Sequence, residues 1–477
     1  MICHVYFLYY GIIYDGGKEE KKMNIAIITD TYFPDINGVT SSIYTLATAL
    51  RKKGHRVYIF ATSDNNSPVI RRVHKKPPVF RIPSIPMLLV RPYRTTMPYS
   101  FGLVRILKRL KIDIIHTQTE FSMGMVGLSS SMALHLPIIH TYHTMLEDYT
   151  HYILNGKVTK IITPGMAQKY SKIFCNIPTG LIVPTEKVKH SLCEYGVKKP
   201  IYVIPTGIDI SPFNRANFDP KEIDALRSSL GIDKDDKVLL SLVRVAKEKS
   251  IHVIIEQMPK IVEKMPKVKL LVIGDGPALS DLMDLATRLN MRSHVIFAGS
   301  VPYTDIGKYY QTGDVFISCS TSETQGLTYY EAMAAGLPVI ARKDDAVNEL
   351  FIDGENAVLF EKEDDLPDIV ASLFADEQKM AMFSSRAEAT VAAYSAETFA
   401  NRVEDAYKNT IARHVRKKAI RRATLGKINS SRKLKGAKIV PAEEEKPSRN
   451  ILKDNAKRAY RAANRYAHLL RVRKRKS

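Results

Sequence analysis

One rhythm recurs along most of this chain. A short unbroken apolar run gives way to a turn, and then to a stretch with apolar residues three and four positions apart. Asn24-Ile25-Ala26-Ile27-Ile28-Thr29 is the first such run. It does not alternate, which predicts a strand covered on both faces. Residues 30–37 carry Pro34 and read as a loop, Gly38 opens a helix through Lys53, and Gly54-His55-Arg56 ends it. Further strands are predicted at 57–61, 112–116, 137–140, 160–163, 180–183 and 201–204. Strands alternating with helices imply a parallel sheet with right-handed crossovers, so 23–205 reads as one doubly wound α/β domain. A polar linker is expected from 206 to about 236. A second series then places strands at 238–243, 269–273, 294–298, 314–318 and 338–341, and helices from Glu377 to about Ala412 close a second domain over 206–412.

Composition changes this picture only at the two ends. The 477 residues are 45 % hydrophobic, enough for two large cores. The net charge of +22 is concentrated: residues 413–477 hold 23 Lys or Arg against 4 Asp or Glu, and the remaining body is nearly neutral at +3. A basic tail of this kind meets an anionic surface, nucleic acid or membrane. Its mixture of basic residues with Gly, Ser and Pro predicts irregular chain over 413–450. Leu452, Ala456, Ala459, Tyr460, Ala463, Tyr466, Ala467 and Leu470 then recur at helical spacing among Lys and Arg, the pattern of a membrane-surface helix or of a terminal helix packed on the body. Residues 1–22 lack a positive leader and a cleavage site. The first strand follows Met23 directly, so translation is expected to start there, with 1–22 dispensable; a short membrane-touching extension is the rival reading. No run reaches the length of a spanning helix. Cys3, Cys175, Cys193 and Cys319 form no C-x-x-C pair, which points to neither a disulfide framework nor a zinc site and suits a reducing cytoplasm.

The chemistry concentrates in the second domain. In Ser322-Glu323-Thr324-Gln325-Gly326-Leu327-Thr328-Tyr329-Tyr330-Glu331 two carboxylates stand eight positions apart after a predicted strand. The N–H groups of Gly326 and Leu327, at a helix start, can face a phosphate. Glu323 and Glu331, acceptor-only when ionised, suit sugar and ribose hydroxyls instead. Upstream, Arg244-Val245-Ala246-Lys247-Glu248-Lys249 follows a strand. It places a guanidinium fork and an ammonium where open α/β sheets bind ligands. Gly274-Asp275-Gly276 ends the next strand. Each element alone is ordinary: paired Glu residues occur by chance, and an isolated Arg-x4-Lys is a solvated loop. Together they describe a nucleotide-sugar pocket.

These motifs resemble those of the retaining glycosyltransferases of family 4, with the GT-B architecture of two Rossmann-like domains facing across a cleft. Glu323 and Glu331 match the family's E-x7-E, Arg244 and Lys249 its R-x4-K, and Gly274 to Gly276 its Gly-Asp-Gly strand end. The likeness covers roughly residues 23–412. It implies that the last helix crosses back onto the first domain. It also implies that Arg244 and Lys249 stabilise a departing diphosphate, that Glu323 holds sugar hydroxyls and that Glu331 holds the ribose. Gly38 matches the loop that lets backbone approach the donor phosphates, with Asn37-Gly38 where many relatives have Gly-Gly. His143 occupies a position near the reaction centre. His116 and His140 also lie near strand ends, where a histidine is more often a structural hydrogen-bonder. No metal or other cofactor is expected, since Asp233-Lys234-Asp235 precedes a strand rather than following one.

The stretch from His143 to Tyr152 resembles its counterpart in bacterial 1,2-diacylglycerol 3-glucosyltransferases. Residues 75–111 mix Lys and Arg with Phe101, Leu103, Val104, Leu107 and Leu110 at helical spacing. This face would suit a lipid substrate, or equally pack on the sheet. The resemblance implies glucose transfer from UDP-glucose to diacylglycerol, by a protein peripheral to the inner face of the cell membrane. A glycosylated diacylglycerol, a phosphatidylinositol-type lipid or a cell-wall precursor stays open as acceptor. A nucleotide-sugar epimerase shares the architecture but would not require Arg244, Lys249 and the Glu spacing. A nucleic-acid partner is not expected, because no recognition motif accompanies the basic tail.

Overall fold

A computed structural model describes residues 22–35, 37–63, 69–75, 78–86, 94–146, 163–320 and 323–434. The apolar runs form two sheets. The first has eight strands in the order Ile201–Val203, Gly180–Val183, Ile138–Thr141, Ile114–Thr117, Asn24–Thr29, Arg56–Thr62, Pro78–Ile82 and Arg71–Lys75. All neighbours are parallel except the last pair. Ile25, Ile27 and Ile28 are fully buried at its centre, as an unbroken apolar run requires. The helix Gly38–Lys52 starts where the Asn37 side chain accepts the Thr40 N–H, and it carries Arg51 and Lys52 in its last turn, where the helix dipole favours cations. The second sheet has six parallel strands, ordered Val295–Gly299, Val268–Ile273, Lys237–Leu242, Val315–Ser318, Val339–Arg342 and Val358–Phe360.

Two passages join the domains, and they lie against each other. The Ile208 N–H donates to the Tyr394 carbonyl at 2.9 Å. At Gly207 an added Cβ would stand 2.5 Å from Phe399 Cβ, so only glycine allows this approach. The closing helix Ala396–Leu434 then crosses back onto the first domain. Phe399, Ala400, Val403, Ala406 and Tyr407 enter the same core as Ile43, Leu46 and Leu50. Glu404 is buried on this helix beside Lys53, Lys408 and His55. Burial opposes its charge, but the hydrogen-bonded Lys53 and Lys408 prevail and hold its carboxyl at about 2.

Several expectations need correcting. The linker between the domains contains a helix, Pro220–Ser229, capped by Asp219. None of its residues is buried, so it left no apolar periodicity to detect. The closing helix runs through residue 412 to Leu434, so the boundary drawn there cuts a continuous helix and 413–434 is not irregular chain. Thr163 is not a strand residue but caps the helix Pro164–Cys175; residues 160–162 lie outside the described part, as do 1–21 and 435–477. The helix Phe101–Arg109 packs through Leu103 and Leu107 and leaves Phe101 70 % exposed beside exposed Arg105, Lys108 and Arg109. No helix among the described residues is long and apolar enough to cross a membrane.

Candidate active site

The Arg244 loop is shaped by its neighbour. Val245 N–H donates to the Asp275 carbonyl at 3.0 Å, and Ala278 N–H donates to the Val245 carbonyl at 3.1 Å. The two backbones lie so close that a Cβ would meet the Val243 carbonyl oxygen at 2.0 Å from Gly274 and the Val245 oxygen at 2.2 Å from Gly276. Gly274 also takes φ +131°, which side chains disfavour. The Gly-Asp-Gly turn thus serves first to hold the Arg244 loop. Asp275 is exposed, its carboxylate accepting the Gly276 N–H. Arg244 is exposed at the end of its strand, and Lys249 is half-buried on the short turn Lys247–Lys249.

Lys249 reaches the other motif. Its Nζ lies 2.7 Å from Glu323 Oε1, an ion pair between residues 74 apart in sequence. Glu323 is only 8 % exposed, so each charge is the main compensation for the other's loss of water. Three residues on, Gly326 takes φ +75° as the left-handed N-cap of the helix Leu327–Ala334. A Cβ there would strike the Tyr329 ring at 2.5 Å. Glu331 is buried on that helix and accepts a hydrogen bond from the Tyr310 hydroxyl at 2.7 Å. Burial pushes its carboxyl up to about 7, against the opposing effect of that bond. Leu327 and Glu331 line a small crevice with Ser41, Ser42 and Thr45 of the first domain. Gly38 stands at the same junction, where a Cβ would make ordinary contact with Leu327 at 3.6 Å. The structure therefore brings Lys249 to Glu323, Gly38 to Leu327, and Glu331 to the crevice lined by Ser41, Ser42 and Thr45.

His143 belongs to the first domain, just beyond the strand Ile138–Thr141. Its Nε2 is 2.7 Å from Gln118 Oε1. An amide oxygen can only accept, so Nε2 carries the proton and Nδ1 keeps its lone pair. Burial, reinforced by His140, lowers its pKa to about 3, and the ring is neutral at physiological pH. His116 is structural: its two nitrogens lie 2.7 Å from the Tyr407 hydroxyl and 2.6 Å from Thr141 Oγ1, tying the closing helix to the sheet. His140 is likewise engaged, by Glu120 at 3.2 Å and Thr117 at 3.0 Å. Among the described residues no group of three His, Cys, Asp or Glu is placed to hold a metal ion.

Known proteins share this architecture. Residues 36–212 match the model of Glycosyltransferase Family 4, and residues 222–390 that of Glycosyl transferases group 1. The chain is 40 % identical over 390 residues to the alpha-monoglucosyldiacylglycerol synthase of Streptococcus pneumoniae, covering 82 % of this chain and 86 % of the relative. The chain belongs to glycosyltransferase family 4. The enzyme of the same name from Acholeplasma laidlawii is 32 % identical over 83 % of this glycosyltransferase and 99 % of its own length. Among solved structures, HepE of Anabaena in complex with UDP-glucose superposes with a TM-score of 0.64 at 20 % identity, over 81 % of this chain and all of that one. The sucrose-phosphate synthase of Thermosynechococcus elongatus has the same TM-score at 18 % identity, over 82 % and all of the two chains. These likenesses bear on the fold, the two-domain GT-B architecture.

Sequence reasoning missed several residues that hold the candidate site together. Gln118, two positions after His116, orients His143. Tyr310 bonds Glu331 from a separate helix. Gln325 lies inside the quoted motif, yet its side chain bonds the interdomain passage at Thr206. Only Gln325 had a local signal, its place between the two motif carboxylates.

Proposed function

We propose that this glycosyltransferase moves glucose from UDP-glucose to the free hydroxyl of a 1,2-diacylglycerol, with retention, at the inner face of a bacterial membrane. The observation that carries this reading is the 40 % identity, held over 390 residues, to an alpha-monoglucosyldiacylglycerol synthase. That name specifies an α-linked product. Glucose is α-linked in UDP-glucose as well, so the anomeric configuration is kept. Arg244 and Lys249 neutralise the charge that grows on the departing diphosphate, where fixed charges act most strongly on the barrier. The N–H groups of Gly326 and Leu327 assist at the helix start. Glu323 accepts from the sugar hydroxyls, and His143 offers Nδ1 on the facing wall. The departing diphosphate takes up the acceptor's proton. No metal is required in this scheme. Exposed Phe101, Arg105, Lys108 and Arg109, together with the basic tail, supply the contact with an anionic lipid surface.

The test is direct. The purified protein is incubated with a panel of nucleotide sugars and with mixed micelles of diacylglycerol, glucosyl-diacylglycerol or phosphatidylinositol. The product is identified by mass and anomeric configuration. An α-glucosyl-diacylglycerol made from UDP-glucose is expected. A β-linked product, or preference for another acceptor, would overturn the reading.

Glu331 gives the reaction a pH signature. As a ribose acceptor it must be ionised, yet in the free protein its carboxyl is raised from 4.5 to about 7. Donor binding then expels a proton at pH below 7, and KM for the nucleotide sugar should rise as the pH falls through 7, approaching about tenfold per unit. Stability of the free protein runs the other way. The contribution of this group is full below 4.5 and is lost as the pH rises to about 7. KM measured from pH 8 to 6 checks this. Glu331→Gln should raise KM and flatten its pH dependence, and an equally steep profile in that variant would assign the titration to another group.

A further inference from the structure

The loop bearing Glu323 is held in part from outside its own domain. Lys187 Nζ lies 3.5 Å from the Glu323 carbonyl oxygen. Thr185 Oγ1 donates to the Thr324 carbonyl at 3.0 Å. The Gln325 amide bonds both main-chain groups of Thr206, accepting from its N–H at 2.8 Å and donating to its carbonyl at 3.0 Å. Three successive loop residues are thus fixed by the first domain or by the passage between domains. Lys187 is itself anchored: its ammonium meets the two Asp344 carboxylate oxygens at 2.8 and 2.7 Å. Glu349, also from the second domain, accepts the main-chain N–H groups of Glu186 at 2.7 Å and Lys187 at 3.3 Å. It caps the first-domain helix Glu186–Glu194 from across the cleft, at the end where the helix dipole favours an anion.

These contacts act on main-chain groups of the loop, not only between surfaces. An ammonium has three protons. Lys187 directs two to Asp344 and leaves a third for the Glu323 carbonyl. Thr185 uses its hydroxyl twice, accepting the Val188 N–H as helix cap and donating to Thr324. Without these two side chains both adjacent carbonyls would lose their donors. The loop would then keep the Lys249 pair of Glu323 and the Gln325 bonds to Thr206, and lose its hold on the main chain between them.

We propose that Lys187 and Thr185 are positioning residues, which seat the Glu323 loop from the acceptor-side domain and so hold the donor-sugar contact in its working geometry. This rests on the reading of Glu323 as the group that holds the donor sugar.

The experiment separates nucleotide binding from turnover. UDP affinity, kcat and Tm are measured for Lys187→Ala, Asp344→Ala, their double variant, Thr185→Val and Lys187→Arg. UDP lacks the sugar that Glu323 addresses, so its Kd should stay close to that of the parent. In Lys187→Ala, kcat should fall by up to about 10²-fold, the cost of a misplaced contact. Asp344→Ala should lose part of that. The double variant should lose no more than Lys187→Ala, because Asp344 acts through the lysine. Lys187→Arg, which keeps the charge and donors, should recover part of the rate, and Thr185→Val should lower kcat with UDP affinity kept. Unchanged kcat in Lys187→Ala, or UDP affinity, kcat and Tm falling in parallel, would overturn the proposal. Glu323→Gln is the control for the underlying reading. Full turnover in that variant would remove Glu323 from the site whatever Lys187 does. An inactive Glu323→Gln beside a fully active Lys187→Ala would instead sink the positioning role alone.

Discussion

Replacing Arg244 or Lys249 by alanine is expected to lower turnover by about 10²–10³-fold, the usual loss when one stabiliser of transition-state charge is removed. The two substitutions should differ in what else they do. Arg244 is exposed at the end of its strand, so Arg244→Ala should leave Tm close to the parent value. Lys249 is paired at 2.7 Å with Glu323, which is almost fully buried. Lys249→Ala leaves that carboxylate without its ammonium, so stability should fall together with rate. Glu323→Ala should damage turnover comparably, and it strands Lys249 in turn. The combined Lys249→Ala/Glu323→Ala variant should regain part of the lost stability but none of the rate, because the charge on the departing diphosphate still lacks its partner. EDTA should change turnover little. Steady-state kinetics and thermal unfolding of the four proteins decide the matter. Near-normal turnover in Arg244→Ala, or loss of activity on chelation, would show that the diphosphate is held by other means.

The pairing of Lys249 with Glu323 was not legible in the chain, for a physical reason. Local sequence reports strands through unbroken apolar runs, and Asn24–Thr29, Gly180–Val183 and Val315–Ser318 were all visible in that way. The Gly-Asp-Gly turn and the paired glutamates were visible because their spacing is fixed by a strand end and a helix start. A bond between residues 74 apart, or between Lys187 and Asp344, 157 apart, depends on how two sheets and a cleft are assembled. No periodicity encodes that. The strands Arg71–Lys75 and Pro78–Ile82 were hidden differently. Arg71–Lys75 is the edge strand and is mostly Arg and Lys, the residues that keep an edge from pairing further, and Pro78–Ile82 beside it is short and interrupted by Arg81. The strand Val358–Phe360 is too short to stand out. The extension of the closing helix past 412 was missed because residues 415–420 are all exposed and three of the six are basic, so no buried apolar stripe marks them.

That extension changes where the basic tail should be cut. A truncation at 413 would sever a continuous helix, whereas one after Leu434 leaves the helix Ala396–Leu434 whole. Residues 435–477 still hold 14 Lys or Arg against 4 Asp or Glu, a net +10. Near an anionic leaflet each such residue contributes roughly 1 kcal/mol, falling off within a Debye length. Even a handful acting together would shift binding by several powers of ten. The apolar positions Leu452, Tyr460, Tyr466 and Leu470, at helical spacing, add area that salt does not screen. Removing 435–477 should therefore weaken flotation with anionic vesicles strongly and make the residual binding less salt-sensitive. Activity on diacylglycerol in neutral micelles should survive, because the proposed donor-site residues lie between Gly38 and Glu331. The remaining vesicle contact would fall to the closing helix, where Arg413, Arg416, Lys417 and Lys418 have no acidic neighbour on the same stretch, and to Phe101 and the basic face beside it. Equal losses in vesicles and micelles would mean that the tail supports the fold. Unchanged vesicle binding would move the membrane contact entirely onto the body, where substitution of Phe101, Arg105 and Lys108 together with Arg413, Arg416, Lys417 and Lys418 would then have to abolish it.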